Sequence, residues 1–152
     1  MPEVSLKFFM PVKVASKEQK NSREEISKAL QEIDSFLKEK KIKVVGSAMA
    51  LLHDDPKAVD LSKAHYEICV PISGKIKGES AVKDKELPKG AFACITHKGS
   101  LDKLPEAYQT ILKWIEENGY MIAGPGREVY LKGIGEGGAQ EYVIELQFPV
   151  RK

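Results

Sequence analysis

The sequence predicts one α+β domain, a duplicated strand-helix-strand-strand module whose antiparallel sheet carries two helices on one face and a ligand groove on the other. Two segments have the apolar spacing of amphipathic helices, and their patterns superimpose when the chain is aligned with itself so that Ile26 falls on Leu104. We call this the repeat alignment. The length of 152 residues and the hydrophobic fraction of 42% suffice for one core. We expect a single domain over 1–152, with repeat 1 at about 4–72, a linker at 73–89 and repeat 2 at about 90–150.

Each repeat contributes one predicted helix. The first covers residues 22–39 and begins with a capping box formed by Ser22 and Glu25. The second begins near Leu104 and ends at Asn118-Gly119, where glycine supplies the left-handed residue that closes a helix. Apolar positions at the helical spacing are Ile26, Ala29, Leu30, Ile33, Phe36 and Leu37 in the first helix, and Leu104, Ala107, Tyr108, Ile111, Trp114 and Ile115 in the second.

Three strands per repeat complete the predicted sheet. They cover 8–16, 42–53 and 64–72 in repeat 1, and 91–97, 120–132 and 141–150 in repeat 2. Gly124-Pro125-Gly126 predicts a bend or bulge inside the second strand of repeat 2. Sequential strands with one helix cannot bury both faces of a sheet alone. We therefore expect the two units to merge their sheets, with both helices on one side.

Strand alternation predicts which side chains face the groove. Ile144, Leu146 and Phe148 are predicted to pack on the helices, as are Tyr66, Ile68 and Val70 of repeat 1. Glu145 and Gln147 then face the groove, together with His65, Glu67 and Cys69. A carboxylate in an apolar groove must be hydrogen-bonded, protonated or paired with a cation, so Glu67 and Glu145 are candidate ligand-binding residues. A solvated strand shows the same alternation, and this alternative stays open.

Other side chains have weaker signals. His97 ends a strand, and it either reaches the groove or hydrogen-bonds the following strand-to-helix turn. Tyr130 lies on the second strand of repeat 2 and is a candidate for the groove. Helical spacing assigns Trp114 to core packing more readily than to a site. His65, Glu67 and His97 do not complete a zinc ligand set, and we predict neither a metal nor a cofactor.

Several function classes are disfavoured. Gly133-Ile134-Gly135-Glu136-Gly137-Gly138 matches a dinucleotide fingerprint, but a predicted strand follows it instead of the required helix N-terminus. No GxSxG motif is present. The formal net charge is +2 and the basic residues are scattered, so direct nucleic-acid binding is not expected. We also expect no membrane span, a cytoplasmic location, and reduced, buried Cys69 and Cys94.

Four stretches of the chain together resemble a known family. They are GAFACITHKGS at 90–100, WIEENGY at 114–120, Gly124-Pro125-x-x-Glu128-x-Tyr130, and Glu145-x-x-x-Pro149-Val150. This pattern resembles the GyrI-like family, the effector-binding domain found alone or attached to AraC-type and MerR-type DNA-binding segments in multidrug-responsive regulators. The fold of that family is the duplicated strand-helix-strand-strand module.

The resemblance implies a function and a site. The groove would bind amphipathic, often cationic or aromatic small molecules, with Glu145 as the key acidic residue and Tyr130 and Trp114 as aromatic neighbours. The chain resembles the standalone members, so we do not expect it to bind DNA itself. Two alternatives stay open: a cofactor-free hydrolase that opens cyclopropane rings of genotoxic compounds, with Glu145 as general acid or base, and an inhibitory protein that acts on a protein partner.

Overall fold

The computed structural model describes residues 3–58, 60, 63–78, 80–132 and 142–152, and at 18–20 it describes the main chain alone. Two helices and one antiparallel sheet make an α+β fold, as the sequence predicts. The elements are β1 (Ser5–Phe9), β2 (Val12–Ser22), α1 (Ile26–Glu39), β3 (Lys43–Val44), β4 (Met49–Leu52), β5 (His65–Ser73), β6 (Lys83–Leu87), β7 (Gly90–Gly99), α2 (Leu104–Glu117), β8 (Met121–Ile122), β9 (Gly126–Lys132) and β10 (Tyr142–Arg151). The strand order is β1-β7-β10-β9-β4-β5-β2-β6, with β3 beside β5 and β8 beside β10.

Element bounds recur under the repeat alignment. It carries α1 onto α2 and β3 onto β8 without any change of length. It also carries β1 onto β6, so the recurring unit begins one strand earlier than the sequence pattern indicated. The recurrence agrees with the predicted duplication, whose evolutionary origin stays a prediction.

The prediction was wrong at the two edges of the sheet. The predicted strand at 8–16 is divided at Met10-Pro11 between β1 and β2, because proline lacks the N–H that a ladder needs. The predicted linker at 73–89 contains β6, whose sequence KDKEL lacks an alternating apolar pattern. β1 pairs with β7 of the second half, and β6 pairs with β2 of the first half. The two halves thus exchange their edge strands.

Each predicted second strand is also two strands. Residues 42–53 form β3 and β4, and residues 120–132 form β8 and β9, with the Gly124-Pro125 bend between the latter two. At Gly126 an added Cβ would lie 2.5 Å from Cε1 of Phe148, so this position requires glycine. The central strands β4 and β9 pair with each other, which joins the two halves. The Gly133–Gly138 stretch lies outside the described residues.

Both helices end as predicted, but α1 begins at Ile26, and the first residues of the predicted helix form a 3-10 turn at Arg23–Glu25. At the start of this turn, Glu25 Oε1 accepts hydrogen bonds from the Ser22 main-chain N–H and hydroxyl, each at 2.9 Å. After α2, Gly119 takes a left-handed conformation with φ of 76°. The equivalent residue after α1 is Lys41, which takes the same conformation with φ of 57°. A non-glycine residue carries a steric cost in that region.

The two faces of the sheet differ in what covers them. On the helix face, the apolar side chains of α1 and α2 pack against Tyr66, Ile68, Val70, Ile144, Leu146 and Phe148, as alternation predicts. The opposite face, called the groove face below, has its own buried cluster of Val14, Met49, Leu51, Cys69, Leu87 and Val129. Cys69 and Cys94 are buried free thiols, and burial raises both pKa values to about 12. No helix of the described residues is long and apolar enough to cross a membrane.

Candidate functional site

Glu145, the residue favoured by the sequence, is held on the groove face by an ion pair. Lys7 of β1 places its Nζ 2.7 Å from Glu145 Oε2, and Gln147 Nε2 donates to Oε1 at 2.6 Å. Hydrogen bonding to Glu145 raises the pKa of Lys7. The carboxylate therefore already has a counter-charge, supplied by the edge strand of the other half.

Glu67 has the equivalent arrangement in the first half. Lys85 of β6 lies 2.5 Å from Oε2, and the Ser16 hydroxyl donates to the same oxygen at 2.7 Å. His53 Nε2 lies 2.8 Å from Oε1. Burial opposes the charge of Glu67, but these hydrogen bonds bring its pKa below the ordinary value. Two lysine–glutamate pairs thus tie the exchanged edge strands to the centre of the sheet.

Four other predicted ligand-binding residues do not contact the groove glutamates. Three of them lie on the helix side of the sheet, and the fourth is exposed. Tyr130 faces the helices, because its neighbour Val129 occupies the groove face. The Trp114 ring stacks on Tyr120 with 5.7 Å between the ring centroids and packs against the helix-face core, as helical spacing indicated. His97 also faces the helices, and its Nε2 lies 2.8 Å from the Ser100 carbonyl oxygen, which is the turn-forming alternative. His65 is exposed, and His53 takes the place beside Glu67.

A third carboxylate, Glu128, lies on the helix face between the two helices and is completely buried. Arg23 donates to both of its oxygens, at 2.6 and 2.9 Å. The Tyr130 hydroxyl donates to Oε1 at 2.8 Å, and the Tyr108 hydroxyl of α2 donates to Oε2. Arg23 also donates to the Tyr66 hydroxyl at 2.7 Å. We call Arg23, Tyr66, Tyr108, Glu128 and Tyr130 the Glu128 cluster.

Burial and hydrogen bonding keep the three tyrosines and Arg23 of this cluster protonated. Burial and the Glu128 carboxylate raise the pKa values of Tyr66, Tyr108 and Tyr130 above that of free tyrosine, so the hydroxyls stay protonated donors. Burial opposes the charge of Arg23, but hydrogen bonds to Glu128 raise its pKa overall. The guanidinium also lies over the Tyr66 ring, 4.7 Å from its centroid. The buried Glu128 carboxylate is surrounded by aromatic rings, and the Arg23 guanidinium already occupies the position of its counter-charge.

Sequence reasoning missed Glu128 as a site residue, although the Gly124-Pro125-x-x-Glu128-x-Tyr130 stretch contains it. Glu128 and Tyr130 are two apart on one strand, so they share a face, and this was the available signal. Arg23 and Tyr66 are distant in sequence and become neighbours through the β2–β5 pairing and the turn before α1. No spacing rule brings those two residues to β9.

The fold is that of a small-molecule-binding domain. Residues 2–151 match the family described as the GyrI-like small molecule binding domain. The chain belongs to the GyrI-like family, as the sequence resemblance predicted.

Solved structures of three proteins are similar to this chain. EcmrR in a complex with DNA is 25% identical with a TM-score of 0.87, over 99% of this chain and 58% of that one. The EcmrR C-terminal domain is 24% identical with a TM-score of 0.80, over 100% and 99% of the two chains. This chain therefore spans less than two thirds of EcmrR.

The other two proteins share the fold at lower identity. A hydrolase encoded by lin2189 from Listeria innocua is 12% identical with a TM-score of 0.76, over 98% of this chain and 92% of that one. SAV2435, in a structure with bound tetraphenylphosphonium, is 13% identical with a TM-score of 0.62, over 98% and 94%.

Proposed function

We propose that this domain binds a small amphipathic cation and that Glu128 is the carboxylate that holds it. The observation that supports this proposal most is the position of Arg23. Its guanidinium pairs with Glu128 and lies on the Tyr66 ring, so it occupies the place where the positive charge of an amphipathic cation would lie in an aromatic site. The chain thus holds an internal mimic of its ligand.

Glu128 suits a cation better than Glu145 does. Glu128 is fully buried with three tyrosine rings around it, so both desolvation and cation-π contact favour an apolar cation there. Glu145 is paired with Lys7, and the buried guanidinium of Arg127 lies nearby on the same face. That positive charge opposes a second cation. The groove site with Glu145 as the key residue, favoured by the sequence, becomes the competing proposal.

A ligand can reach Glu128 only if Arg23 leaves, and the position of Arg23 allows this. Arg23 belongs to a short 3-10 turn before α1, and its side chain is 21% exposed while that of Glu128 is 0% exposed. Rotation of one side chain at the surface therefore uncovers the carboxylate without breaking a strand or helix. A ligand that supplies its own positive charge leaves no buried anion unpaired.

The test is calorimetric titration with tetraphenylphosphonium, chosen because SAV2435, a protein of the same fold, is known with this ligand bound. The unsubstituted chain should bind it. Glu128→Gln, which keeps the shape and removes the charge, should weaken binding about tenfold or more. Arg23→Met removes the internal competitor and should strengthen binding.

Glu145→Gln is the matched control, because it makes the same substitution in a carboxylate on the other face. It should leave the affinity for tetraphenylphosphonium unchanged within about twofold, since additive effects are expected for distant sites. If Glu145→Gln abolishes binding and Glu128→Gln does not, the groove site is correct and the Glu128 site is wrong. Hydrolysis stays a prediction of the family resemblance alone, because the similar Listeria protein is 12% identical and shows only the fold.

A further inference from the structure

We propose that the groove face has a second ligand site, centred on Arg127, that binds the anionic group of a small aromatic carboxylate. This site lies on the opposite face of the sheet from the Glu128 cluster and would take a ligand of opposite charge. It goes beyond the proposed cation binding, and neither site requires the other.

Arg127 is a buried cation that has no carboxylate partner among the described residues. The residue is 6% exposed, one of its terminal nitrogens donates to the Pro88 carbonyl oxygen at 3.2 Å, and its guanidinium lies 4.4 Å from the centroid of the Phe92 ring. Among the described residues, no carboxylate forms an ion pair with it; Glu67 and Glu145 on the same face are engaged by lysines. Burial lowers the pKa of Arg127. A buried guanidinium normally has an anionic partner.

Arg127 lines two cavities. The larger has a volume of about 520 Å³, and Arg127 lines it with Lys85, Lys89, His53 and a single acidic residue, Glu86. The smaller, of about 450 Å³, is lined by Arg127 together with Lys13 and apolar side chains that include Met49 and Val129. The walls therefore combine apolar surface with an excess of positive charge, which suits an amphipathic anion.

The equivalent position in the first half carries an uncharged residue. The repeat alignment carries Met49 onto Arg127, and Met49 is equally buried on the same face, at 6%. Both lie at the centre of the sheet, on the paired strands β4 and β9. An arginine whose structural counterpart is methionine adds a charge that packing does not explain.

The chemistry of the guanidinium selects the ligand class. Its planar fork of N–H donors matches the two oxygens of a carboxylate, and the Phe92 ring leaves one apolar wall beside it. A planar aromatic acid would fill the cavity with its ring and pair its carboxylate with Arg127. A neutral molecule of the same shape would leave the guanidinium without a counter-charge.

The test compares 2-naphthoate with 2-naphthamide, which has nearly the same shape and no charge, by isothermal titration calorimetry. Naphthoate should bind about tenfold or more tightly than the amide, as expected for a charge-assisted hydrogen bond in a buried site. Arg127→Met, which installs the residue of the first half, should abolish this preference. Lys89→Met is the matched control: it removes the same formal charge from an exposed position on the cavity and should retain the preference.

A second measurement needs no variant. The 15N-1H signal of the Arg127 Nε should shift on addition of naphthoate and not on addition of naphthamide, in a chain labelled on arginine. Any of four results would overturn the proposal. Two concern the unsubstituted chain in calorimetry: equal affinity for acid and amide, or no binding of naphthoate at millimolar concentration. The other two are an Arg127 signal that does not shift, and an undiminished preference for the acid in a folded Arg127→Met. Glu128→Gln should leave naphthoate binding intact, which separates this site from the cation site.

Discussion

The first half of the chain places Ala50 where the second half places Glu128, and these two residues face each other across the β4–β9 pair. The other members of the Glu128 cluster also have apolar equivalents under the repeat alignment. These equivalents are Leu101 for Arg23, Ile144 for Tyr66, Leu30 for Tyr108 and Leu52 for Tyr130. Arg23 and Tyr66 come from the first half, and the other three members come from the second, so both halves contribute to the cluster. The equivalent set of positions, with the two halves interchanged, is apolar.

On the groove face, in contrast, the charged pairs are the same in both halves. Lys7 pairs with Glu145 and Lys85 pairs with Glu67, and both pairs have equivalent positions in the two halves. Both halves have a lysine–glutamate pair because each half receives an edge strand from the other. The lysine on that edge strand binds it to the central strand that carries the glutamate. The Glu128 cluster and Arg127 have no polar equivalent when the two halves are interchanged. We assign the shared features to the fold and the unshared ones to ligand binding.

The largest expected effect comes from making the second half resemble the first at Glu128. Glu128→Ala leaves Arg23 without its counter-charge and two tyrosine hydroxyls without their acceptor, and should lower the free energy of unfolding by about 3–5 kcal/mol. Urea denaturation measures this change. The double variant Arg23→Leu with Glu128→Ala removes both charges and should recover part of the loss. A double variant no more stable than Glu128→Ala would contradict this account.

A second difference between the halves concerns the bend before β9. The first half has Ala48 and Val70 where the second has Gly126 and Phe148. Gly126→Ala should cost about 1–3 kcal/mol of stability, because its Cβ would lie 2.5 Å from the Phe148 ring. Adding Phe148→Val restores the first-half combination, and the two substitutions should therefore cost less together than their separate effects predict. Thermal unfolding of the four proteins in this cycle provides the check.

The two lysine–glutamate pairs are equivalent in position but unequal in burial. The side chain of Glu67 is 6% exposed and that of Glu145 is 13% exposed, while Lys85 and Lys7 are 32% and 47% exposed. Lys85→Met should therefore cost about 1–2 kcal/mol, and Lys7→Met less than about 1 kcal/mol. Equal losses in urea denaturation would show that burial does not distinguish the pairs.

The lowered pKa of Glu67 predicts that the stability of the fold depends on pH. Its folded-state pKa lies below the ordinary value of 4.5, so its contribution to stability is complete above that pH and is lost as pH falls through the folded-state value. Glu67→Gln should be less stable than the parent chain at neutral pH, and its stability should fall less steeply below pH 4.5. Parallel acid profiles of the two proteins would contradict the assignment.

The smallest expected effect lies at the helix ends. Lys41 and Gly119 are equivalent and both left-handed, but only glycine takes this conformation without a steric cost. Lys41→Gly should raise the free energy of unfolding by about 0.5–1 kcal/mol, and Gly119→Lys should lower it by a similar amount. A loss of stability in Lys41→Gly would mean that the lysine side chain contributes more than its backbone conformation costs.

Residue patterns were sufficient for the fold class and the helices, but not for the sheet edges or the site. Helical spacing located both helices, and the Ser22 capping box located the turn before α1, because those signals are local. β6 was missed because a charged edge strand has no apolar alternation, and its pairing with β2 joins distant segments. The Glu128 cluster was missed for the same reason: Arg23, Tyr66 and Tyr108 reach β9 through tertiary packing. Strand alternation correctly placed Glu67 and Glu145 on one face but did not reveal the lysines that neutralise them.

The most direct test of the central claim is a crystal structure of the chain with tetraphenylphosphonium. Our account predicts the phosphonium between the helices, with its charge within about 6 Å of the tyrosine rings around Glu128 and with the Arg23 side chain turned out to solvent. A phosphonium bound on the groove face beside Glu145, with the Arg23–Glu128 pair intact, would contradict it.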